Sequence, residues 1–200
     1  GFVSKMRLRL IKWLYRLAMG QRSSRFIFQN NADKYILQSI SKFDDDHGYL
    51  IHGSGVDLKD YTYSSEPVGA VIVSMASRLL VEKGVYQFVE AARTLVNSGV
   101  NFQLIGGPDI GNPNSVSLKQ LELWKRENFV DVLGFRSDVK TLFANSHIVV
   151  LPSYYGEGLP KVLIEAAALG RPVVTTDVPG CIDAVIPNET GLIVAAKDVG

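Results

Sequence analysis

The sequence predicts an α/β fold in which a Rossmann-like parallel sheet carries helices on both of its faces. From about residue 67 to residue 200, short apolar runs alternate with stretches whose apolar residues return every three to four positions, as in 84–96. Alternating strands and helices of this kind form right-handed βαβ units, which place their strands parallel. Hydrophobic residues make up 46% of the chain and charged residues 20%, so the chain can bury a core.

The individual elements follow from apolar periodicity and from helix start and stop signals. The first 66 residues are predicted to hold a basic helix ending at Gly20, a strand at 25–29, a helix from Asn30 or Asn31 to 40, and a strand at 49–52. The strands predicted after them are 71–75, 102–105, 130–133, 147–151, 172–175 and 191–195, and the helices are 84–96, 115–128, 137–144 and 159–169. Ser137 is expected to cap its helix, and Pro160 to lie in the first turn of the next one.

A polar linker divides the chain in two. Ser64-Ser65-Glu66-Pro67 has the composition of a linker, so residues 1–66 are expected to be the tail of a preceding domain. Residues 67–200 are expected to be a second domain that lacks its last helix. This division predicts that the chain is part of a longer protein.

Composition excludes several classes of function. The net charge of +1 gives no strong positive field, so nucleic acid is not an expected partner. The single cysteine, Cys181, cannot form an internal disulfide, which fits a reducing, cytoplasmic compartment. No apolar run approaches the roughly 20 residues that a membrane-spanning helix needs.

The first predicted helix is basic and amphipathic. Its basic residues share one stripe, and leucines and an alanine occupy the opposite side. The stripe comprises Lys5, Arg9, Lys12 and Arg16, and the opposite side Leu10, Leu14, Leu17 and Ala18. Two interpretations stay open: the helix lies on the anionic inner face of a membrane, or its basic face is simply solvated.

Two glutamates flank the start of the predicted helix 159–169. Glu157 lies at the strand-to-helix turn and Glu165 two turns into the helix, both near the carboxyl edge of the sheet, where such folds bind ligands. Gly158 permits a close backbone approach, and unpaired amides at a helix start can hold a phosphate. A carboxylate such as Glu165 can accept two hydrogen bonds from a ribose diol. Two glutamates at this spacing also occur in many ordinary helices.

Three motifs occur in an order that is specific to one family. Glu157 and Glu165 stand in an E-x7-E pattern, which Gly170-Arg-Pro-Val-Val174 follows. Arg78 and Lys83-Gly84 form an R-x4-K-G element after the first strand of the second domain, and Ile51 to Asp57 matches an element that precedes the linker. From about Arg25 onward the chain thereby resembles the family 4 retaining glycosyltransferases, which have the GT-B fold of two Rossmann-like domains.

The resemblance implies a role for each motif residue. It places Arg78 and Lys83 on the donor diphosphate, Glu157 on the donor sugar and Glu165 on the ribose. It also places the Gly158 and Leu159 backbone amides on the diphosphate. Lys161 would either contribute charge there or only cap the site. Phe135 and Arg136 correspond to the place where family members stack on or clasp the nucleobase.

The resemblance also implies an activity. The sequence of residues 151–160 is similar to that of members that assemble bacterial glycans. This similarity implies transfer of a UDP-linked hexose or N-acetylhexosamine to a glycan or polyprenyl-linked acceptor. Configuration would be retained, and no cofactor or metal ion would be needed. Two alternatives stay open: a nucleotide-sugar-binding module without turnover in this chain, and a sugar-nucleotide epimerase or phosphorylase of the same fold.

Two positions depart from the family pattern, and one tempting motif is discounted. Many relatives carry arginine where Gly156 stands, and glutamate where Asp183 stands, which puts contacts with the donor sugar in doubt. The acidic run Asp44–Asp46 could suggest a metal-binding D-x-D motif, but it lies in a polar loop and is expected to be solvated.

Overall fold

The structure, a computed structural model, describes residues 2–21, 23–41 and 43–200. These residues divide into two units, one that ends at Ser54 and a second that comprises Gly55–Gly200. The observed division lies earlier than the boundary expected between residues 66 and 67, so the predicted linker belongs with the second unit. Arg22, one of the basic residues near the first helix, lies outside the described residues.

The first unit contains two helices and two short parallel strands. Its elements are α1 Phe2–Met19, β1 Phe26–Phe28, α2 Asn31–Ser41 and β2 Gly48–Leu50. The side-chain oxygen of Asn30 accepts a hydrogen bond from the Asp33 amide at 2.8 Å and thereby caps α2, as expected. Met19, Phe28 and Phe43 form a small core. No described helix has both the length and the apolar composition that crossing a bilayer requires.

The second unit confirms the predicted α/β fold. Its strands are all parallel and lie in the order β5-β4-β3-β6-β7-β8, so the crossover from β5 to β6 passes back over β3 and β4. Right-handed crossovers in this order place α3 and α4 on one face of the sheet and α5 and α6 on the other. The strands are β3 Ile72–Ala76, β4 Asn101–Ile105, β5 Asp131–Gly134, β6 Ile148–Leu151, β7 Val173–Thr176 and β8 Gly191–Val194, and the helices are α3 Val85–Thr94, α4 Leu118–Glu127, α5 Val139–Ala144 and α6 Lys161–Ala168.

Two predicted helix starts were wrong. Asp138, not Ser137, is the N-cap residue of α5, and its carboxylate is held by the Arg136 guanidinium instead of capping the helix. Pro160 precedes α6 as its N-cap, because its ψ of 116° is extended and helical dihedrals begin only at Lys161. The serine before α4 behaves as such residues usually do: Ser117 accepts a hydrogen bond from the Gln120 amide at 3.2 Å.

The core of the second unit lies between the sheet and its helices. Inward side chains of successive strands are fully buried, among them Met75, Leu104 and Val149. Phe143 of α5 and Leu163 of α6 are buried as completely, which fixes both helices on the sheet. The loops at the carboxyl ends of the strands are thus held on a rigid scaffold.

One glycine sets the distance between two of these loops. Gly84 has a φ of 77°, and a Cβ atom there would overlap the Pro152 carbonyl oxygen. Gly99 has the same φ of 77° but open space around it. The pair therefore separates the cost of the left-handed backbone from the cost of the close approach.

We predict that Gly84→Ala lowers the free energy of unfolding by about 3 kcal/mol and Gly99→Ala by only about 1 kcal/mol, since both replacements strain φ but only the first forces two loops apart. Urea unfolding of the two variants measures the difference. Equal losses for both would show that the loops at 84 and 152 do not need this close contact.

Candidate functional site

An open cleft of about 700 Å³ lies at the carboxyl edge of the sheet. The loops that follow β3, β4 and β5 form its walls, and α6 contributes Val162 and Glu165. The crossover from β5 to β6 makes this region the switch point of the strand order, which is where open α/β sheets bind their ligands. The cleft also includes Tyr61, from the segment that precedes the first strand of the sheet.

Glu165 is nearly buried in the floor of this cleft. Its Oε1 accepts a hydrogen bond from the Tyr61 hydroxyl at 3.0 Å and lies 3.3 Å from the Lys161 Nζ. Burial, followed by the bond to Glu165, raises the pKa of Tyr61 to about 12, so the hydroxyl stays protonated and donates. The carboxylate thus faces the cleft with its charge compensated on one side.

Glu157 and Lys83 form a close, mostly buried ion pair. The Lys83 Nζ donates to the Glu157 Oε1 at 2.5 Å, and the Ser153 hydroxyl lies 2.9 Å from the same oxygen. Their side chains are 20% and 14% exposed, respectively. A second contact joins the same loops, because the Tyr154 amide donates to the Glu82 carbonyl at 3.0 Å. The loop after β3 and the loop after β6 are therefore locked together at this pair.

Arg78 lies in the same loop after β3 as Lys83 but has a different partner. Its guanidinium is 3.0 Å from Asp109, in the loop after β4, and its side chain is 68% exposed. An exposed pair of this kind contributes little to stability, so Arg78 can exchange Asp109 for another anion at low cost. The predicted pair of cations is thus divided: Arg78 lines the cleft, and Lys83 is bound to Glu157.

The rim of the cleft carries an exposed aromatic ring. Phe135 is 84% exposed and lies beside Arg136, in the turn after β5. The Arg136 guanidinium makes two hydrogen bonds to the Asp138 carboxylate, at 2.7 and 2.6 Å, and holds the pKa of that carboxyl below its usual value. The ring is therefore available for stacking, while the guanidinium is already engaged.

The start of α6 has no side-chain cap. Pro160 offers no capping group, and the first helical residue is Lys161, with no acidic residue in the first turn. Amide groups at such a helix start favour an anion. Gly158 and Leu159 lie between Glu157 and this helix start, outside the lining of the cleft.

The glycine turn after β7 closes against the glutamate loop. Gly180 has a φ of 82°, and a Cβ atom there would overlap the Glu157 and Gly158 carbonyl oxygens. Its amide donates to the Asp183 carboxylate at 3.1 Å. The carboxylate at one of the two unusual positions therefore stabilises its own turn, and the other, Gly156, has open space where a side chain would stand.

The discounted acidic run has ordinary surface partners. Asp45 lies 2.6 Å from the Lys34 ammonium group, and Asp46 is 3.9 Å from the His47 imidazole. Among the described residues, no three side chains of His, Cys, Asp or Glu are grouped as a metal site would require.

The predicted site residues fall into two neighbouring groups. Arg78, Phe135, Arg136 and Glu165 line the cleft, and Lys161 contacts Glu165. Lys83 and Glu157 pair with each other. Three partners of these residues were not predicted, and of these Ser153 had a local signal, as a polar residue two positions after the end of the predicted strand 147–151. The missed partners are Tyr61, Asp109 and Ser153.

Comparison with known proteins identifies the family. Residues 70–200 match the family model described as glycosyl transferases group 1. An N,N'-diacetylbacillosaminyl-diphospho-undecaprenol alpha-1,3-N-acetylgalactosaminyltransferase of Campylobacter jejuni is 31% identical over 215 residues, which cover 99% of this chain and 54% of that protein. A UDP-Gal:alpha-D-GlcNAc-diphosphoundecaprenol alpha-1,3-galactosyltransferase of Escherichia coli is 25% identical over 94% of this chain and 51% of its own length.

Solved structures agree on the fold. The Anabaena protein Alr3699/HepE, in a complex with UDP-glucose, superposes with a TM-score of 0.76 at 23% identity, over 94% of this chain and 55% of that one. The chain spans about half the length of the curated relatives it matches. A Rossmann-like sheet, a cleft at its switch point and a family match that extends from residue 70 to residue 200 lead to one conclusion: the chain belongs to the group 1 glycosyl transferases.

Proposed function

We propose that this chain binds a nucleotide sugar, and that the protein it belongs to transfers the sugar to a glycan or lipid-linked acceptor. The main support is the cleft at the switch point of the sheet, which is lined by both Glu165 and Arg78. The relatives from Campylobacter jejuni and Escherichia coli, whose names specify undecaprenol-linked acceptors, support the acceptor class. The UDP-Gal in the second name supports UDP as the nucleotide.

The geometry suits each part of such a donor. The exposed Phe135 ring offers a face on which a nucleobase can stack, and the Glu165 carboxylate can accept hydrogen bonds from the ribose hydroxyls. The diphosphate would meet Arg78, which lines the cleft, and the start of α6, which precedes the lining residue Val162. Arg136, which the resemblance also assigns to the nucleobase, would contribute only by leaving Asp138.

Lys83 and Glu157 would act at the reacting end of the donor. In the proposed bound state the Lys83 ammonium group turns from Glu157 to the β-phosphate, where negative charge develops as the nucleoside diphosphate leaves. Glu157 is then able to accept hydrogen bonds from the sugar hydroxyls. Gly158 and Leu159 would add backbone amides, and Lys161 would add charge while it remains beside Glu165.

We propose that transfer retains the configuration of the sugar, as the resemblance to family 4 implies. The bond between the anomeric carbon and the β-phosphate oxygen breaks, and the acceptor oxygen bonds to the same face of that carbon. The proton of the acceptor hydroxyl passes to the departing phosphate. No metal ion takes part in this scheme, because fixed cations supply the compensating charge.

One observation favours the alternative of a donor-binding module without turnover. At the position where the resembled family often carries glutamate, the Asp183 carboxylate is engaged with the Gly180 amide, and Gly156 offers no side chain toward the site. Both changes would remove contacts with the sugar but none with the nucleotide. The two proposals therefore share nucleotide binding and differ in sugar transfer.

We predict that Arg78→Ala and Lys83→Met each weaken the binding of UDP by at least about 30-fold, because each removes a cation that faces the diphosphate. Isothermal titration calorimetry of the chain measures the change. Lys119→Ala, a replacement of an exposed base on α4, is the matched control and should leave the affinity unchanged.

Thermal unfolding must accompany the titration, because Lys83→Met leaves the Glu157 carboxylate without its ammonium partner. The exposed Arg78 can be removed without such a cost. Unchanged UDP affinity in a folded Arg78→Ala variant and in a folded Lys83→Met variant would refute the diphosphate assignment.

We further propose that α1 lies on an anionic membrane surface, where a lipid-linked acceptor would be found. The side chains of its apolar face are about half exposed, including Leu10 at 55% and Leu14 at 50%. The basic stripe on the same helix matches the negative charge of phospholipid headgroups. A cytoplasmic protein held at the inner face of the membrane would fit both features.

We predict that replacing Lys5, Arg9, Lys12 and Arg16 by glutamate lowers the fraction of chain that pellets with vesicles of phosphatidylglycerol and phosphatidylcholine by about tenfold or more, since each base near the surface contributes about 1 kcal/mol. The control replaces Lys59, Lys119, Lys125 and Arg126 by glutamate, which changes the net charge equally. Equal pelleting of the α1 variant and the unmodified chain would exclude membrane contact through α1.

A further inference from the structure

We propose that Tyr61 is a positioning residue that orients the Glu165 carboxylate toward the ribose of the donor. The inference deepens the proposed function and rests on it. It is carried by the hydrogen bond from the Tyr61 hydroxyl to the Glu165 Oε1 at 3.0 Å, within the lining of the cleft. The two residues lie 104 positions apart in the sequence, so the contact exists only in the folded chain.

The segment that carries Tyr61 is itself held in place. The Tyr61 amide donates to the Asp57 carbonyl at 2.8 Å, which forms a turn before the ring. The Lys140 Nζ lies 5.8 Å from the centre of the ring and 2.7 Å from the Asp60 carboxylate. At the other end of the segment, the Ser64 amide donates to the Leu169 carbonyl at 3.3 Å.

A buried arginine completes this attachment. Arg171 is 3% exposed, and its guanidinium donates to the Ser64 carbonyl and to the Ser146 carbonyl, the latter at 3.2 Å. Residues 57–64 are therefore attached to α5 and α6 at several points. These bonds hold the segment that carries Tyr61 against α6, and thereby keep its hydroxyl beside Glu165.

The arrangement divides the acceptor capacity of Glu165. Oε1 receives the Tyr61 hydroxyl and lies beside the Lys161 ammonium group, and neither contact uses Oε2. A carboxylate has about four acceptor positions, so two donors on one oxygen fix its plane and leave the second oxygen to a ribose diol. With phenylalanine at this position, Lys161 alone would orient the group, and its side chain is 61% exposed.

Binding of UDP and of 2′,3′-dideoxy-UDP to the chain tests the inference, because only UDP has the two hydroxyls that Glu165 would bind. We predict that Tyr61→Phe weakens UDP binding by about five- to tenfold and changes dideoxy-UDP binding by less than about twofold. Tyr63→Phe is the matched control, since Tyr63 lies in the same segment, directly before Ser64, and is 75% exposed. It should change neither affinity.

Glu165→Gln separates the inference from the function on which it rests. We expect this variant to bind UDP and dideoxy-UDP with nearly the same affinity. If it still prefers UDP as strongly as the unmodified chain, or if the unmodified chain does not bind UDP, the proposed donor site is wrong. If Glu165→Gln loses the preference for UDP but Tyr61→Phe keeps it, the positioning role of Tyr61 is overturned. The same holds if Tyr61→Phe weakens the binding of UDP and of dideoxy-UDP equally.

Discussion

Two carboxylates lie close to the carboxyl edge of the sheet with little access to water, and each must be compensated there. A buried carboxylate without a partner costs several kcal/mol, so the elements around Glu157 and Glu165 have to supply donors. Lys83 and Ser153 supply them for Glu157, and Tyr61 and Lys161 for Glu165. The positions of the loops around the cleft follow from this requirement, because the partners come from four different segments.

In the proposed function, the same requirement would couple donor binding to a rearrangement of the site. Two bases of the site each contact an acid: Arg78 lies 3.0 Å from Asp109, and Lys83 lies 2.5 Å from Glu157. An anionic diphosphate would compete with these acids for the bases, and it would release Glu157 toward the sugar. The glycines make the exchange possible at close range, because Gly84 and Gly180 let neighbouring loops approach where any Cβ atom would overlap a carbonyl oxygen.

Local sequence signals were sufficient for the sheet and its helices, because a buried strand such as β3 and an amphipathic helix such as α3 each carry their own periodicity. They failed where the contacts of a residue depend on a partner outside the local pattern. Asp138 was not predicted as the N-cap of α5, and its carboxylate binds Arg136 instead of capping the helix. The hydrogen bond from the Tyr61 hydroxyl to Glu165 joins residues 104 positions apart, so no local pattern could indicate it. The glutamates themselves were found because Glu157 and Glu165 lie only eight positions apart, across the loop before α6 and its first turns, whereas their partners Tyr61 and Lys83 lie far away in the sequence.

The central claim is that the cleft binds a nucleoside diphosphate through fixed cations of the chain. Calorimetric titration with UDP, GDP and ADP, each in the presence of Mg²⁺ and in the presence of a chelator, tests it most directly. We predict that one nucleotide binds, with UDP preferred, and that its affinity is the same under both conditions. Binding of none of the three, or binding that disappears with the chelator, would contradict it.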